Sequence, residues 1–467
     1  MASSCWRTES GPVVINDFLS SQKRGVEGAN IAVFVSLSHE NPVMESMISE
    51  VLANSFHDTV VQADEILRNY GSDPVPAGVD KLRQIFPTIS TSILVDCILG
   101  LRSAQRLGKY IDGWVFTKKS AEQSTHPLIA EHHARVLTGG TAGGHVLEIC
   151  TGAGLDARAL VLAGNSVTTY EADTILAAIA QGNMNRAGLS AHVVHSPWSP
   201  GEYNKDTYTA VWADPSRRDD RTRQRYRYGT DYEPQLQSVL QLSPLLPLGI
   251  KIGPADRITD EKSPGEGNSP GELNSLGEKN SPGELTSEWI GRRGECLERI
   301  LWRNVRQRPG PSRISIIDGT TWYEREMTRP AQELNTIELR SGLWLIEPHP
   351  AVIAAGDVSG LFREVGANPF DTAIAYGLVE RDPGPSKWYQ RFFVDAVDRG
   401  VSERRIRERL IELGRSSHTE FKKRGWDRDP ESLRRHMNFV ENGTAGVVLI
   451  ARHGTGHVTI HARRVEE

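Results

Sequence analysis

Hydrophobic and polar positions change rhythm three times along this chain. From residue 41 to about 107 apolar residues recur at helical spacing. Val43, Met44, Met47, Ile48, Val51 and Leu52 come first, behind Asn41 and Pro42 as a start signal. Val61, Ile66 and Leu67 form a second stretch, and an apolar run over 93–101 follows Pro87. These stripes predict a small helical N-terminal domain, residues 1–110, with a loose polar start over 1–28. From His145 the pattern shortens to strand-sized apolar runs alternating with helix-like segments: HVLEICTGAGLDARAL, SVTTYEAD, AHVVHSPW and AVWADPSRR. Strands are expected over 146–149, 167–170 and 209–212, with a helix over 156–162. From Gly342 a third texture predicts a C-terminal α/β region. GLWLIEP reads as a strand, PAVIAAG and GLFREVG as helical, VSERRIRERLIELG as a helix, and AGVVLIARHGTGHVTIHARR as two strands joined at Gly-Thr-Gly.

The parsing is therefore 1–110, 111–340 and 341–467, in keeping with two or three domains for 467 residues. One interruption falls inside the second part. Residues 263–286 are four imperfect hexamers, SPGEGN, SPGELN, SLGEKN and SPGELT, too poor in apolar residues to bury a core, so a disordered insert is expected over 261–288. Ahead of the central part, Ser124 or Thr125 is the expected cap of a helix that Pro127 begins. His132 and His133, adjacent on that helix, diverge and cannot chelate one metal together, so they read as surface or packing residues.

Composition excludes little. The net charge is −5, and no apolar run approaches the roughly 18 residues of a membrane span. No signal peptide is read at the N-terminus, so a soluble cytoplasmic protein is expected. Cys5, Cys97, Cys150 and Cys296 form no CxxC, which predicts neither a zinc site nor a disulfide framework, and no metal is expected. Charge is uneven, however. Residues 383–467 hold 17 Lys or Arg against 12 Asp or Glu, a balance of +5 that leaves −10 for the rest. Such asymmetry points the last domain at a phosphate backbone, although a solvated charged face gives the same count.

The chemistry concentrates between His145 and Arg218. A strand, a glycine turn and a helix, then a strand ending in an acid, is how a doubly wound sheet grips an adenosine-containing cofactor. Gly152-Ala153-Gly154-Leu155-Asp156-Ala157 satisfies G-x-G-x-x-G/A, so an NAD-type oxidoreductase is one reading. Two features favour S-adenosylmethionine. Glu148 ends the entering strand, where an anion meets a cationic methionine group but repels a pyrophosphate. A later strand ends in Asp214-Pro215, and Glu171, at the end of the second strand, suits ribose hydroxyls in either cofactor.

The chain resembles the bacterial class I SAM-dependent methyltransferases that carry a C-terminal THUMP-like domain. The matching pieces are Glu122-Gln123-Ser124-Thr125 with Ala130-Glu131-His132, then LEICTGAGLDA, YEAD, ADPSRR, GIKIGPA, SEWIGRRGECLERILW, WLIEPHPAVIAAG, FKKRGWDRDPESLRRH and GTAGVVLIARHG, in order from Trp114 to Arg464. The resemblance implies a Rossmann-like methyltransferase sheet between a helical N-terminal domain and an α/β THUMP-like domain. It implies S-adenosylmethionine as cofactor, held by Gln123, Glu148, Cys150, Gly152, Gly154, Asp156, Glu171, Ser196 and Trp198. Cys150 stands where many methyltransferases have a first glycine, and Ser196 where an acid often meets the adenine amino group; Trp198 is expected to stack on that ring. The expected acceptor is a base in structured RNA, tRNA or rRNA, with Asp214 and Pro215 taking its N–H. Arg217 and Arg218 hold a neighbouring phosphate or pair with an acid such as Asp219. Lys251 lines the far wall of the pocket or lies at the surface. Lys422, Lys423, Arg424, Arg428, Arg434 and Arg435 are implied RNA contacts, or form a surface laced with Asp427, Asp429 and Glu431. A non-catalytic RNA-binding protein that keeps the fold is the remaining alternative.

Overall fold

The computed structural model describes residues 42–204, 206–217, 232–242, 245–256, 285–306, 311–327 and 334–465. They fall into two compact units, one of residues 42–124 with 173–188, the other of 125–172 with the described residues from 189 to 465. The first is helical: Pro42–Leu52, Phe56–Arg68, Pro76–Ile85, Thr91–Leu107, Lys118–Gln123 and Thr174–Arg186. The predicted stripes are its core, with Ile48, Val51, Leu67, Leu94 and Ile98 buried. The helix Thr174–Arg186 joins these helices through polar groups. Buried Asn183 accepts from Val115 N at 2.8 Å and donates to Val115 O at 2.9 Å. The Arg186 guanidinium donates to Val51 O and Gly113 O. No helix among the described residues is long and apolar enough to cross a membrane.

The second unit begins with the helix Pro127–Thr138 and holds two large sheets. Pro127 does open that helix, but the cap is His126, whose ring nitrogen accepts from Leu128 N at 3.3 Å, not Ser124 or Thr125. Nine strands build the first sheet: β1 (His145–Ile149), β2 (Ser166–Glu171), β3 (Ala191–His195), β4 (Ala210–Ala213), then, past the short pair β5 (Ser216–Arg217) and β6 (Tyr232–Glu233), β7 (Leu248–Ile252), β8 (Leu285–Arg292), β9 (Glu295–Arg303), β10 (Arg313–Asp318) and β11 (Thr321–Glu326). Their order is β11-β10-β8-β9-β7-β4-β1-β2-β3. β3, β2, β1, β4 and β7 are parallel. β9 enters antiparallel between β7 and β8, and β10 is again parallel to β8. The carboxyl ends of β1, β2, β4, β7, β8 and β10 therefore share one edge. The chain runs outward from β1 to β3 and returns beside β1 as β4, which makes a topological switch point there.

The expected insert is shorter than the sequence suggests. Its last four residues, 285–288, are the start of β8, where Ser287 and Glu288 are buried; residues 261–284 lie outside the described residues. Leu285 and Thr286 close the final repeat and Ser287 follows it, so the strand opens in a composition shared with the repeats.

The second sheet adds β12 (Trp344–Pro348), β13 (Asn368–Pro369), β14 (Gly377–Val379), β15 (Tyr389–Arg399), β16 (Glu420–Arg424), β17 (Val447–His453) and β18 (Gly456–Arg464), in the order β13-β14-β12-β15-β18-β17-β16. β17 and β18 are the two strands read from the sequence, and helices Pro350–Ala355, Val358–Val365 and Glu403–Glu412 fill the expected positions. Leu345, Phe392, Val394, Leu449 and Ile460 are buried on one another as its core. The two sheets meet closely at Gly291: a Cβ there would sit 2.5 Å from His349 Cε1, so only glycine fits.

Candidate active site

At the switch point β1 hands the chain to a turn in which Cys150, Gly152 and Gly154 all take positive φ, 67°, 56° and 88°. Glycine adopts this region without cost; a cysteine there is strained by roughly 1 kcal/mol. Cys150 N and Thr151 N donate to Tyr170 O, which clamps the turn to β2. Gly152 N donates to Glu171 Oε2 at 2.9 Å, so the acid ending β2 is held against the glycine turn. Above Gly152 the space is open: a Cβ built there would meet nothing within 4 Å.

Beneath the turn lies Glu148, 1% exposed, with Oε2 lacking a hydrogen-bond partner among the described residues. Burial, opposed by the Thr169 and Thr151 hydroxyls and reinforced by the nearby acids Asp156 and Asp214, pushes its carboxyl up to about 8. An orphaned carboxyl oxygen under an open glycine turn fits the cationic amino-acid end of S-adenosylmethionine, as Glu171 fits its ribose.

Asp214 follows β4 directly, and its backbone N donates to Ile149 O at 3.0 Å, so it stands beside the turn. Its side chain is 31% exposed and accepts from Lys251 Nζ, on β7, at 2.7 Å. Lys251 also donates to Thr125 Oγ1 at 3.1 Å and lies 3.9 Å from Glu298 Oε2. The lysine is thus a wall of the site, not a surface residue. Burial works against its charge, but Asp214, Glu298 and Asp156 hold its pKa above the ordinary lysine range. Burial also raises Asp214 from the usual carboxylate range, aided by Asp156 and Glu298 and opposed by Lys251.

Of the two readings of the histidine pair, surface or packing, the structure gives burial, with polar networks the sequence does not announce. Both are 2% exposed, and they serve different networks. His133 Nδ1 lies 2.9 Å from Asp156 Oδ1, and its Nε2 is 2.8 Å from Glu298 Oε1, off the hydrogen-bonding line. Its ring stacks on Trp212 at 4.4 Å. Burial disfavours its charge, yet the two acids win and lift its pKa to about 9, so His133 is a buried imidazolium. His132 Nδ1 accepts from Arg135 at 2.9 Å, which puts its proton on Nε2 for donation to Glu288 Oε1 at 2.9 Å. His132, Glu288 and Glu324 lie close enough to be considered for a metal. Trp302 and Ser315 also donate to Glu288, and hydrogen bonds account for the cluster.

Asp156, predicted as a cofactor ligand, is buried with its carboxylate on His133, an arrangement that ties the turn to the helix Pro127–Thr138. Trp198 does not stand open for stacking. Its ring packs with Leu147, Ile149, Val211 and Tyr232 in the core under β1 and β4, where a large apolar face is better buried. Ser196 is half-buried at the end of β3; its N donates to Glu171 O at 3.0 Å and its hydroxyl to Pro197 O at 3.1 Å. Pro215 is buried behind Asp214. The backbone of Arg217 belongs to β5, its side chain and all of Arg218 lie outside what is described, and Gln123 ends a helix of the first unit. Glu298 and Thr125 went unnoticed as site residues: each is remote in sequence from Lys251, and the sheet order brings Glu298 to it while the segment ahead of the helix Pro127–Thr138 brings Thr125.

Of the tail cations, Lys422 and Arg424 both bind Glu347, Arg424 at 3.2 Å. Lys423 points to the other face of β16 and donates to Arg428 O at 3.0 Å; Arg428 is exposed. Arg434 donates to Thr419 O and Ser417 O, and Arg435 is exposed near Asp429.

No protein-family model matches the chain. In sequence it is 27% identical over 382 residues to an uncharacterized S-adenosylmethionine-dependent methyltransferase of Mycobacterium tuberculosis (strain CDC 1551 / Oshkosh), covering 79% of this chain and 95% of that protein. A protein of the same description in strain H37Rv matches to the same extent. In structure it is similar to a crystal structure of a "putative methyltransferase" from Porphyromonas gingivalis W83, with a TM-score of 0.61 and 16% identity, covering 90% of this chain and 99% of that one. In fold and in sequence, the chain is similar to methyltransferases of the class I type that depend on S-adenosylmethionine.

Proposed function

We infer that this chain is an S-adenosylmethionine-dependent methyltransferase whose acceptor is a base in structured RNA, tRNA or rRNA. The observation that carries the reading is the meeting of three acids at one switch point. Glu148 is buried beneath the glycine turn with Oε2 unpartnered among the described residues, Glu171 is bound to that turn, and Asp214 stands beside it at the end of β4. S-adenosylmethionine supplies an electrophilic methyl group on a sulfonium. Glu148 and Glu171 hold its charged and ribose ends, and Gly152 and Gly154 leave room for close approach. Asp214 accepts the N–H of the acceptor base, which orients the nitrogen and gives its proton a place to go. Pro215 fixes the backbone after Asp214, and Lys251 holds the Asp214 carboxylate in place.

The RNA part rests on the acid-proline loop and on the basic C-terminal region, which we read as a THUMP-like domain that helps hold the RNA. Arg217 and Arg218 belong to the same reading as phosphate contacts beside the loop. The test is to incubate the protein with total tRNA and rRNA and isotope-labelled S-adenosylmethionine, then digest and analyse the nucleosides by mass spectrometry. One labelled methylnucleoside is expected. Turnover on a protein or small molecule with none on RNA would overturn the acceptor and leave the methyltransferase standing.

A further inference from the structure

On the same edge of the nine-stranded sheet as the glycine turn, a cleft of about 390 Å³ opens between the ends of β8 and β10 and the second sheet. The β8–β9 hairpin turns on Arg293 and Gly294, at φ 51° and 75°. A two-residue turn of this hand favours Asn or Gly, so an arginine there carries strain of about 1 kcal/mol. The side chain it carries is exposed and makes no ion pair or hydrogen bond among the described residues. Across the cleft Lys387 Nζ lies 3.0 Å from Asp318 Oδ2, a solvent-exposed pair. Lys422 and Arg424 rise from the floor, fixed by their shared partner Glu347. His349 lines the same cleft. Its Nδ1 accepts from Ala351 N at 3.1 Å and burial lowers its pKa to about 4, so it is a neutral ring with its proton on Nε2. Among the described lining residues, four cations stand against two carboxylates, an excess of two positive charges.

We propose that this cleft is a phosphate-binding subsite for the single-stranded flank of the RNA, in which Arg293 and Lys387 contact phosphodiester oxygens while Lys422 and Arg424 set the positive floor. This rests on the RNA reading above. The placement suits it. β4 and β8 are three interstrand steps apart, about 14 Å. A strand stacked at about 3.4 Å per nucleotide reaches the cleft roughly four nucleotides from a base held at Asp214. Lys422 and Arg424 are also the two cations of β16 whose carboxylate partner faces this space, whereas Lys423 lies on the other face.

The test uses the full chain with the exchange of Arg293→Glu and Lys387→Glu together, and Arg293→Glu alone. Both positions are at the surface, and loss of an exposed ion pair costs at most about 1 kcal/mol, so folding survives. Anisotropy of a labelled short single-stranded RNA of mixed sequence is read at rising salt. At low salt the double variant is expected to bind at least tenfold more weakly. Its salt slope should fall by about 1.4, two contacts at roughly 0.7 each, with S-adenosylhomocysteine affinity unchanged. Wild-type affinity and slope in the double variant would overturn the subsite and leave the RNA reading intact. Wild-type protein that binds S-adenosylhomocysteine but no RNA would overturn both. ATP binding lost in the variant with RNA binding kept would reassign the cleft to a free nucleotide.

Discussion

Asp156, Asp214, Glu298, His133 and Lys251 keep their charges largely out of water and on one another; Arg293, on the same sheet edge, and Lys387, paired with Asp318 across the cleft, keep theirs at the surface. The first group has every reason to be rigid. A carboxylate that must meet a base in one orientation is best fixed by a buried lysine, and that lysine by Glu298, which itself lies against the His133 imidazolium. The second group has reason to be adaptable, because a phosphate backbone is held by charge and reach rather than by fixed geometry. One edge of one sheet thus carries a preorganised chemical end and an open electrostatic end, and substitutions at the two should behave differently.

The largest expected effect lies at the rigid end. Asp214→Ala should lower methyl transfer by about 10²- to 10⁴-fold in single-turnover assays, with S-adenosylhomocysteine affinity little changed. Wild-type turnover would remove Asp214 from the chemistry. Lys251→Met leaves Asp214 and Glu298 without their shared cation and should cost about 3–5 kcal/mol in denaturant unfolding. A cost under about 1 kcal/mol would place Lys251 with the open group after all.

Smaller effects sharpen the contrast through pH. Glu148, raised to about 8 from an unfolded value near 4.5, binds its proton more tightly in the folded state. Its contribution to stability is present below pH 4.5 and lost as pH rises through 8. Between pH 6 and 8 the unliganded protein should lose about 2 kcal/mol from this group, and Glu148→Gln should flatten that slope in urea titrations. The smallest change is at Cys150, where glycine relieves the left-handed strain. Cys150→Gly should be neutral to about 1 kcal/mol stabilising; a clear loss would mean that the thiol's packing outweighs its backbone.

What the sequence revealed follows the same division. The glycine turn, Glu148, Glu171 and Asp214-Pro215 were legible because each is a short local pattern at a strand end, and the helical stripes and the final hairpin were legible by periodicity. The network behind Asp214 was not. Glu298 reaches Lys251 only because β9 inserts antiparallel beside β7, and no spacing announces that. His132 and His133 read as surface or packing residues because adjacent helix positions diverge. They do diverge, each into its own buried acid. Trp198 read as a stacking platform because an aromatic near a cofactor strand can serve as one, yet its ring was needed in the core. The cleft draws Arg293, His349, Lys387 and Lys422 from four separate segments, which only the meeting of two sheets brings together.

The most direct test of the central claim is calorimetric titration of wild-type and Glu171→Ala protein with S-adenosylhomocysteine and, separately, with NAD. The account predicts one-site binding of S-adenosylhomocysteine to the wild type, weakened at least about tenfold by the substitution through loss of a charge-assisted hydrogen bond, and no binding of NAD. Binding of NAD without S-adenosylhomocysteine would contradict it.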